Sequence, residues 1–521
     1  MVLQDDIQLL IWVFGATVLL PVLVLFLFPF LSDYIRKWRI LSPIQNVKRP
    51  LPLLGNALHL ETDGSAFFQQ LILYSEQFRD KPLVKLWIGT VPFLILYNAE
   101  VVEDVLSSSK YIEKAYPYKF LEPWLGTGLL TSTGEKWRSQ RKMLTPTFHF
   151  KILSEFLDVM NEQSNVLVAK LEQHLDKGKF NCFLDMTLCA LDIISETAMG
   201  KKIYAQSNSD SEYIQAIYKM STIIHKRMKH PWLWPDFLYF RLKSGKEHNR
   251  NLNILHMFTE KVIKERASEL EQLTSTDSFT DGNSDSRRPK ERKAFLDMLL
   301  TTTDEEGKKL SLKEIQEEVD TFMFAGHDTT AASMNWALFL LGSHPEVQLK
   351  VHNELDEVFG ESDRRATMDD LKKLQYLDAV IKETLRLFPS VPIIGRAARE
   401  DCTIGGFEVP NGTIIVIVPY ALHRDPKCFT DPEEFRPERF LPENYRERNP
   451  FAYIPFSAGL RNCIGQRFAK MEELVVLSTL LRHFWVEAKQ TREELILVGE
   501  LILRPENGIW IELKKRADYV S

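Results

Sequence analysis

From Ile7 to Leu31 the chain reads IQLLIWVFGATVLLPVLVLFLFPFL, without one charged side chain. At about 1.5 Å of rise per residue, a helix of that length covers a hydrocarbon layer roughly 30 Å thick. A single N-terminal transmembrane helix is therefore expected over residues 7–31. A cleaved secretory leader would begin basic and end at a small-residue site. Here Asp5 and Asp6 precede the run, and Arg36, Lys37 and Arg39 follow it. Positive flanks stay in the cytosol, so the mass that follows is expected to face that compartment. Pro21 and Pro29 are expected to kink the span without abolishing it.

The remainder has the composition of a large folded body, with 45% hydrophobic and 26% charged residues over the 521-residue chain. A net charge of −6 with no dominant basic block argues against nucleic acid as a partner. Five scattered cysteines without C-x2-C spacing fit neither a disulfide framework nor a zinc site, and point to a reducing compartment. Pro43, Pro50 and Pro52 mark residues 42–58 as a stiff linker, leaving 59–521 as the main domain. KPLVKLWIGTVPFLILYNAE predicts a hairpin or small sheet broken at Gly89 and Pro92. Helical periodicity dominates from Glu100 to Leu270 and returns as one long helix over Leu310–Leu341. Between them, residues 275–293 are polar enough to read as a solvated, mobile loop. LILVGELILRPENGIWIEL closes the chain as an expected hairpin. With no alternating β-α units, the fold class is mainly α with small β-sheets.

The stretch FSAGLRNCIG, residues 456–465, carries the first sign of chemistry. Glycines in so short a loop suggest a tight turn or the close approach of something flat. Helical periodicity begins just after Cys463, so its thiol is expected near a helix N-terminus, where free amides lower its pKa. Such a thiolate suits a nucleophile or a metal ligand, and an inert buried cysteine is the plain alternative. ETLR places Glu383 and Arg386 on one helix face, a spacing equally usual for a surface ion pair. WRSQR does the same for Trp137 and Arg141. In AGHDTT, Gly326 is expected to open the helix surface beside Asp328 and Thr329. An acid next to an alcohol can relay protons through ordered water, although helical threonine also back-bonds to its own helix.

Taken together, F-x-x-G-x-R-x-C-x-G, ETLR, PERF and AGHDTT resemble the signatures of the cytochrome P-450 haem-thiolate monooxygenases, and the likeness covers essentially the whole chain. The resemblance implies that fold, with Cys463 as the axial ligand of a haem iron. A thiolate in that position pushes electron density onto iron and favours O–O cleavage. It further implies that Phe456, Gly459 and Gly465 frame the haem, the glycines keeping side chains off the macrocycle. Arg461, Trp137, Arg141 and Arg396 would meet the propionates, with Arg399 competing for the last role. Glu383, Arg386 and Arg439 would form a buried structural triad, and Asp328 with Thr329 would be the catalytic proton relay.

EVDTFMFAGHDTT, KFLEPWLGTGLLTSTGEKWR, RKMLTPTFHF and PYALHRDP are similar to family 4, closest to its V subfamily. That likeness implies hydroxylation of medium-chain and polyunsaturated fatty acids at or near the ω carbon. It implies a single-pass endoplasmic reticulum protein with a cytosolic catalytic domain. Electrons would come from NADPH through NADPH–cytochrome P-450 reductase, with cytochrome b5 as a further partner. Ala325 stands where most family 4 members carry the glutamate that esterifies a haem methyl. The expectation is therefore haem b held without an ester, in a looser site open to attack at ω-1 as well as ω. Trp124, Leu125, Leu129, Leu130, Phe322 and Ile393 are candidate channel walls, and Arg138, Lys142 and Lys470 candidate reductase contacts. Two other functions stay open: a haem-thiolate isomerase or dehydratase acting on lipid peroxides, and a non-catalytic haem-binding protein.

Overall fold

A computed structural model describes residues 20–277, 294–303, 307, 309–444 and 448–516. Residues 7–19 of the apolar run and residues 278–293 of the polar segment lie outside the described residues. The helices that position the site are α1 (Leu20–Ile40), α2 (Gly134–Leu144), α3 (Phe150–Leu171), α4 (Phe183–Met199), α5 (Glu212–Lys229), α6 (Lys243–Asp277), α7 (Leu312–Ser343), α8 (Gln375–Leu387) and α9 (Gln466–His483).

Helix α7 opens with a capping box. Ser311 Oγ accepts the Glu314 N–H (3.3 Å), and Glu314 Oε2 accepts the Ser311 N–H (2.9 Å). Two otherwise orphaned donors are satisfied there. This cap, and the turn ahead of Pro345, shift the helix slightly from the span read off its apolar pattern. Its middle is buried on all sides, as befits a helix that threads the core. Packing against α4 depends on Gly326, where a Cβ would stand 2.7 Å from the Ile194 side chain. The glycine thus admits a neighbouring helix and also leaves the α7 surface open to an internal cavity, the opening expected from the sequence.

The strands flank this helical core. β1 (Leu83–Ile88) and β2 (Val91–Leu96) form the expected hairpin, with Ile88 opposite Val91. β3 (Ile394–Ala397) and β4 (Ile414–Ile417) complete a sheet of order β1-β2-β4-β3. Pro92 does not break β2. Parallel pairing with β4 begins only at Phe93, so the missing proline N–H is never required. Residues 44–56 do not stand free as a spacer. Val47 N–H donates to Lys85 O (3.0 Å) and Lys85 N–H to Gln45 O (2.9 Å), which lays the proline-rich segment along β1.

At the end of the chain, β5 (Phe484–Ala488) pairs with β8 (Trp510–Lys515), while β6 (Leu497–Gly499) and β7 (Leu503–Pro505) form their own hairpin. The final strand therefore joins a different sheet from the hairpin expected to contain it.

Helix α1 carries the second half of the apolar run, with Leu25 and Phe28 exposed. Its last turns dock on the sheet, where Tyr34 and Trp38 lie 5.6 and 5.2 Å from the Trp87 ring. Among the described residues, no helix is long and apolar enough to cross a membrane.

Candidate functional site

Cys463 sits in the loop that feeds α9. Its N–H donates to Phe456 O (2.8 Å), which closes the loop on itself. Protein surrounds the residue on every side, yet the thiol surface is open because it faces an internal cavity. Burial pushes the Cys463 thiol up. The amides of Gly465 and Gln466 and the Arg141 guanidinium pull it back without reversing the direction. The helix-terminus effect read from the sequence is present, and desolvation outweighs it.

The two glycines of the loop differ. Gly465 borders the cavity, and a Cβ there would meet only the Cys463 Sγ, at 3.9 Å. Gly459 has φ +66°, and a Cβ there would stand 1.7 Å from Leu106 O. It is required for backbone packing away from the cavity, which corrects its expected place against a macrocycle.

One edge of the cavity collects cations. Trp137 and Arg141 reach it from α2, Arg396 from β3 and Arg461 from the cysteine loop; Lys114, which the sequence did not single out, joins them. Arg461 lies 4.5 Å over the Trp137 ring and donates to the carbonyls of Ile112 (3.0 Å), Leu129 (3.1 Å) and Ser132. Arg141 donates to Asn462 O and Oδ1, both at 2.7 Å. Arg396 is buried and donates to Gly395 O (3.1 Å), whereas Arg399 is exposed beside Glu113 (3.8 Å). The geometry selects Arg396 as the cavity residue.

Burial lowers all four cations. Arg396 and Arg461 add repulsion at Lys114, and Arg396 helps bring Arg461 to about 9. Among the described residues no carboxylate lines this edge of the cavity, so its positive charge suits anionic groups.

Beneath the cavity, Glu383 holds Arg386 through two bonds, Nε to Oε2 and Nη2 to Oε1, each 2.8 Å. Arg439 Nε and the Arg436 N–H add contacts to Oε1 at 3.2 and 2.9 Å. Arg386 also donates to the carbonyls of His423 (3.1 Å), Pro432 (2.6 Å) and Glu434 (3.0 Å). The triad expected from ETLR and PERF thus comes together, fully buried at Glu383 and Arg386.

On the opposite wall, Ala325, Gly326, Thr329 and Thr330 of α7 face the cavity. Thr329 Oγ1 donates to Ala325 O (2.8 Å), and Ser390 Oγ donates to Thr329 O (2.8 Å). Asp328 is turned off the wall and ion-pairs with Arg504 of β7. The acid and the alcohol therefore face different surroundings and do not form one cluster at the cavity.

The profile described as "Cytochrome P450" matches residues 46–513. The chain is 60% identical over 513 residues to "Cytochrome P450 4V2" of Homo sapiens, covering 98% of this chain and 97% of that one. It is 48% identical over 489 residues to "Cytochrome P450 4c3" of Drosophila melanogaster, covering 92% and 91%. A crystal structure of a "cytochrome P450DA heme domain" superposes with TM-score 0.77 at 25% identity, over 91% of this chain and 98% of that one. The chain belongs to the cytochrome P450 family. Within it, the chain is a member of family 4, V subfamily.

A P450 monooxygenase uses a haem-thiolate cofactor, and the residues present fit one: an open thiol at one wall and unmatched cations at an edge. The P450 cavity also sorts the channel candidates. Leu129, Leu130 and Phe322 line it, whereas Trp124, Leu125 and Ile393 do not. Trp124 packs on Phe324 (5.1 Å) and Leu125 is fully buried, so both serve the core. Phe148, Ile194 and Val391 take their places. Glu473 of α9 is the one carboxylate among the described cavity residues, and burial pushes it up to about 8. On the outer face, Arg138 pairs with Glu135, and Lys470 with Asp378 (2.7 Å).

Proposed function

We propose that this P450 hydroxylates medium-chain and polyunsaturated fatty acids at or near the ω carbon. The carrying observation is the wall of the cavity before Cys463, where Leu129, Leu130, Phe148, Ile194 and Phe322 offer apolar side chains to a hydrocarbon. A terminal methyl has stronger C–H bonds than the methylenes behind it, so selectivity has to come from orientation. When bound, the haem supplies redox chemistry that places one atom of O2 in a C–H bond and releases the other as water, consuming two electrons and two protons.

The chain's own residues do the rest. Cys463 would present sulfur to the iron. Arg461, Arg141, Arg396 and Lys114 would hold the propionates, with Trp137 beneath Arg461. Thr329 offers a hydroxyl at the cavity, and Asp328, paired with Arg504 behind it, is the acid of the proposed proton relay. Glu383, Arg386 and Arg439 keep the cysteine side rigid. With Ala325 in the cavity wall, the haem would be held without an ester. The 7–31 run anchors the enzyme in the endoplasmic reticulum membrane, residues 59–521 act in the cytosol, and NADPH–cytochrome P-450 reductase with cytochrome b5 delivers the electrons.

A peroxide isomerase or dehydratase is the second reading, favoured by the Asp328–Arg504 pair, which ties the acid away from the cavity. Turnover of a panel of saturated and polyunsaturated fatty acids with reductase and NADPH, locating the hydroxyl by mass spectrometry, decides between them. NADPH consumed in step with hydroxylated product supports the proposal. Conversion of a lipid hydroperoxide without NADPH supports the alternative.

A further inference from the structure

Glu318 lies on α7 just before the cavity-facing stretch and is fully buried. Its Oε2 accepts the N–H of Leu129 (3.1 Å), while Oε1 has no hydrogen-bond partner among the described residues. The carbonyl of the same Leu129 accepts from Arg461 Nη1 (3.1 Å), two residues ahead of Cys463. One peptide segment is thereby held from both sides, by the distal helix at its amide and by the cysteine loop at its carbonyl. Leu129 and Leu130 are the cavity wall that this segment carries.

The loop lies on α7 through two glycines. At Gly126 (φ +53°) a Cβ would come 2.3 Å from the Glu317 side chain, and at Gly128 it would come 2.5 Å from Thr321 Oγ1. The neighbouring Glu317 reaches outward instead, accepting from Thr127 Oγ1 (3.0 Å) and pairing with Lys136 (3.2 Å). Adjacent acids therefore divide the work, one at the rim and one inside. A buried carboxyl is costly to retain for packing alone.

We infer that Glu318 is a positioning residue that fixes the Leu129–Leu130 wall through the Leu129 amide and so sets which carbon of an elongated apolar substrate is presented for reaction. The inference rests on the proposed hydroxylase reading for its substrate, and on the geometry alone for the clasp. Burial pushes the Glu318 carboxyl up to about 7, against the Leu129 amide and Lys136, which pull it down; Glu317 and Glu314 reinforce the rise. The wall is then held by a group that changes charge near neutral pH.

The test uses the full-length, haem-loaded protein and compares Glu318→Ala and Glu318→Gln with the parent. Amide hydrogen exchange across residues 126–132, measured without substrate, is expected to rise about tenfold in E318A and to stay within about twofold in E318Q, which keeps an acceptor oxygen. With lauric acid as substrate, the ratio of ω to ω-1 product should shift severalfold in E318A. In the parent that ratio should vary between pH 6 and 8, and in E318Q it should be flat. Unchanged exchange in a folded E318A would overturn the clasp whether or not any lipid turns over. Should E318A not fold, the same pH response of regiochemistry in parent and E318Q would overturn it. Altered exchange with an unaltered product ratio would remove the specificity role. Absence of lipid turnover in every variant would count against the hydroxylase reading, leaving the exchange result to judge the clasp.

Discussion

Truncating Glu383 should be far more damaging than truncating Arg439, although both belong to one buried triad. Glu383 is the hub: it accepts two bonds from Arg386, one from Arg439 and one from the Arg436 amide. Its removal leaves Arg386 wholly buried with its charge uncompensated. Breaking a buried pair in this way costs about 3–5 kcal/mol. Against the roughly 5–15 kcal/mol that holds a typical domain folded, that is from about a fifth to the whole. Arg439 makes a single 3.2 Å contact to Glu383, and removing it leaves the bidentate pair intact, so about 1–3 kcal/mol is expected.

The assay is the thermal midpoint of purified protein, alongside the fraction that retains haem. E383A should lose most of its haem-loaded yield, with a midpoint lowered by several degrees. R439M should load haem and melt only slightly early. Equal midpoints for the two variants, or a fully loaded E383A, would refute the hub argument.

Further expectations concern the distal wall and the termini of charge. Asp328→Asn should lower coupled turnover by roughly 10²-fold, within the range for a lost acid–base group, with NADPH diverted to peroxide or water; unchanged coupling would remove Asp328 from proton supply. Acid extraction followed by chromatography should separate haem from polypeptide, since Ala325 offers no carboxylate; haem that stays with the chain would contradict this. His423 Nε2 accepts the Ile454 N–H (2.9 Å), and burial holds its pKa down to about 3. A histidine depressed in the folded state binds its proton only on unfolding, so its contribution is present above about pH 6.5 and is lost as pH falls toward 3. The thermal midpoint should drop over that window, and a substitution without a titrating ring, His423→Gln, should flatten part of the drop. Equal slopes would show that other groups dominate.

Local chemistry was legible in the chain because it is written in contiguous residues. The Cys463 loop, the Glu383–Arg386 spacing and the long helix around Thr329 each follow from a short pattern, and the structure assembles them as those patterns suggest. What escaped depends on distant neighbours. Lys114 reaches the cation edge because its backbone bridges to Arg396. Asp328 turns to Arg504 because the closing hairpin lies behind α7. Gly459 resembles a cavity glycine until Leu106 O is seen against it. Trp124 and Leu125 look like channel walls in a string of apolar residues, and only packing assigns them to the core. Desolvation reversed the expected direction at Cys463, since a helix terminus can be read from sequence and depth of burial cannot.

The central claim is that the sulfur of Cys463 binds haem iron as a thiolate, and the most direct measurement is the absorption spectrum of the reduced protein under carbon monoxide. Membership of the P450 family leads to an expected band at about 450 nm, lost in Cys463→Ala, with the anionic sulfur pushing electron density onto iron. A stable, fully haem-loaded preparation with its band at about 420 nm instead would contradict thiolate ligation by Cys463.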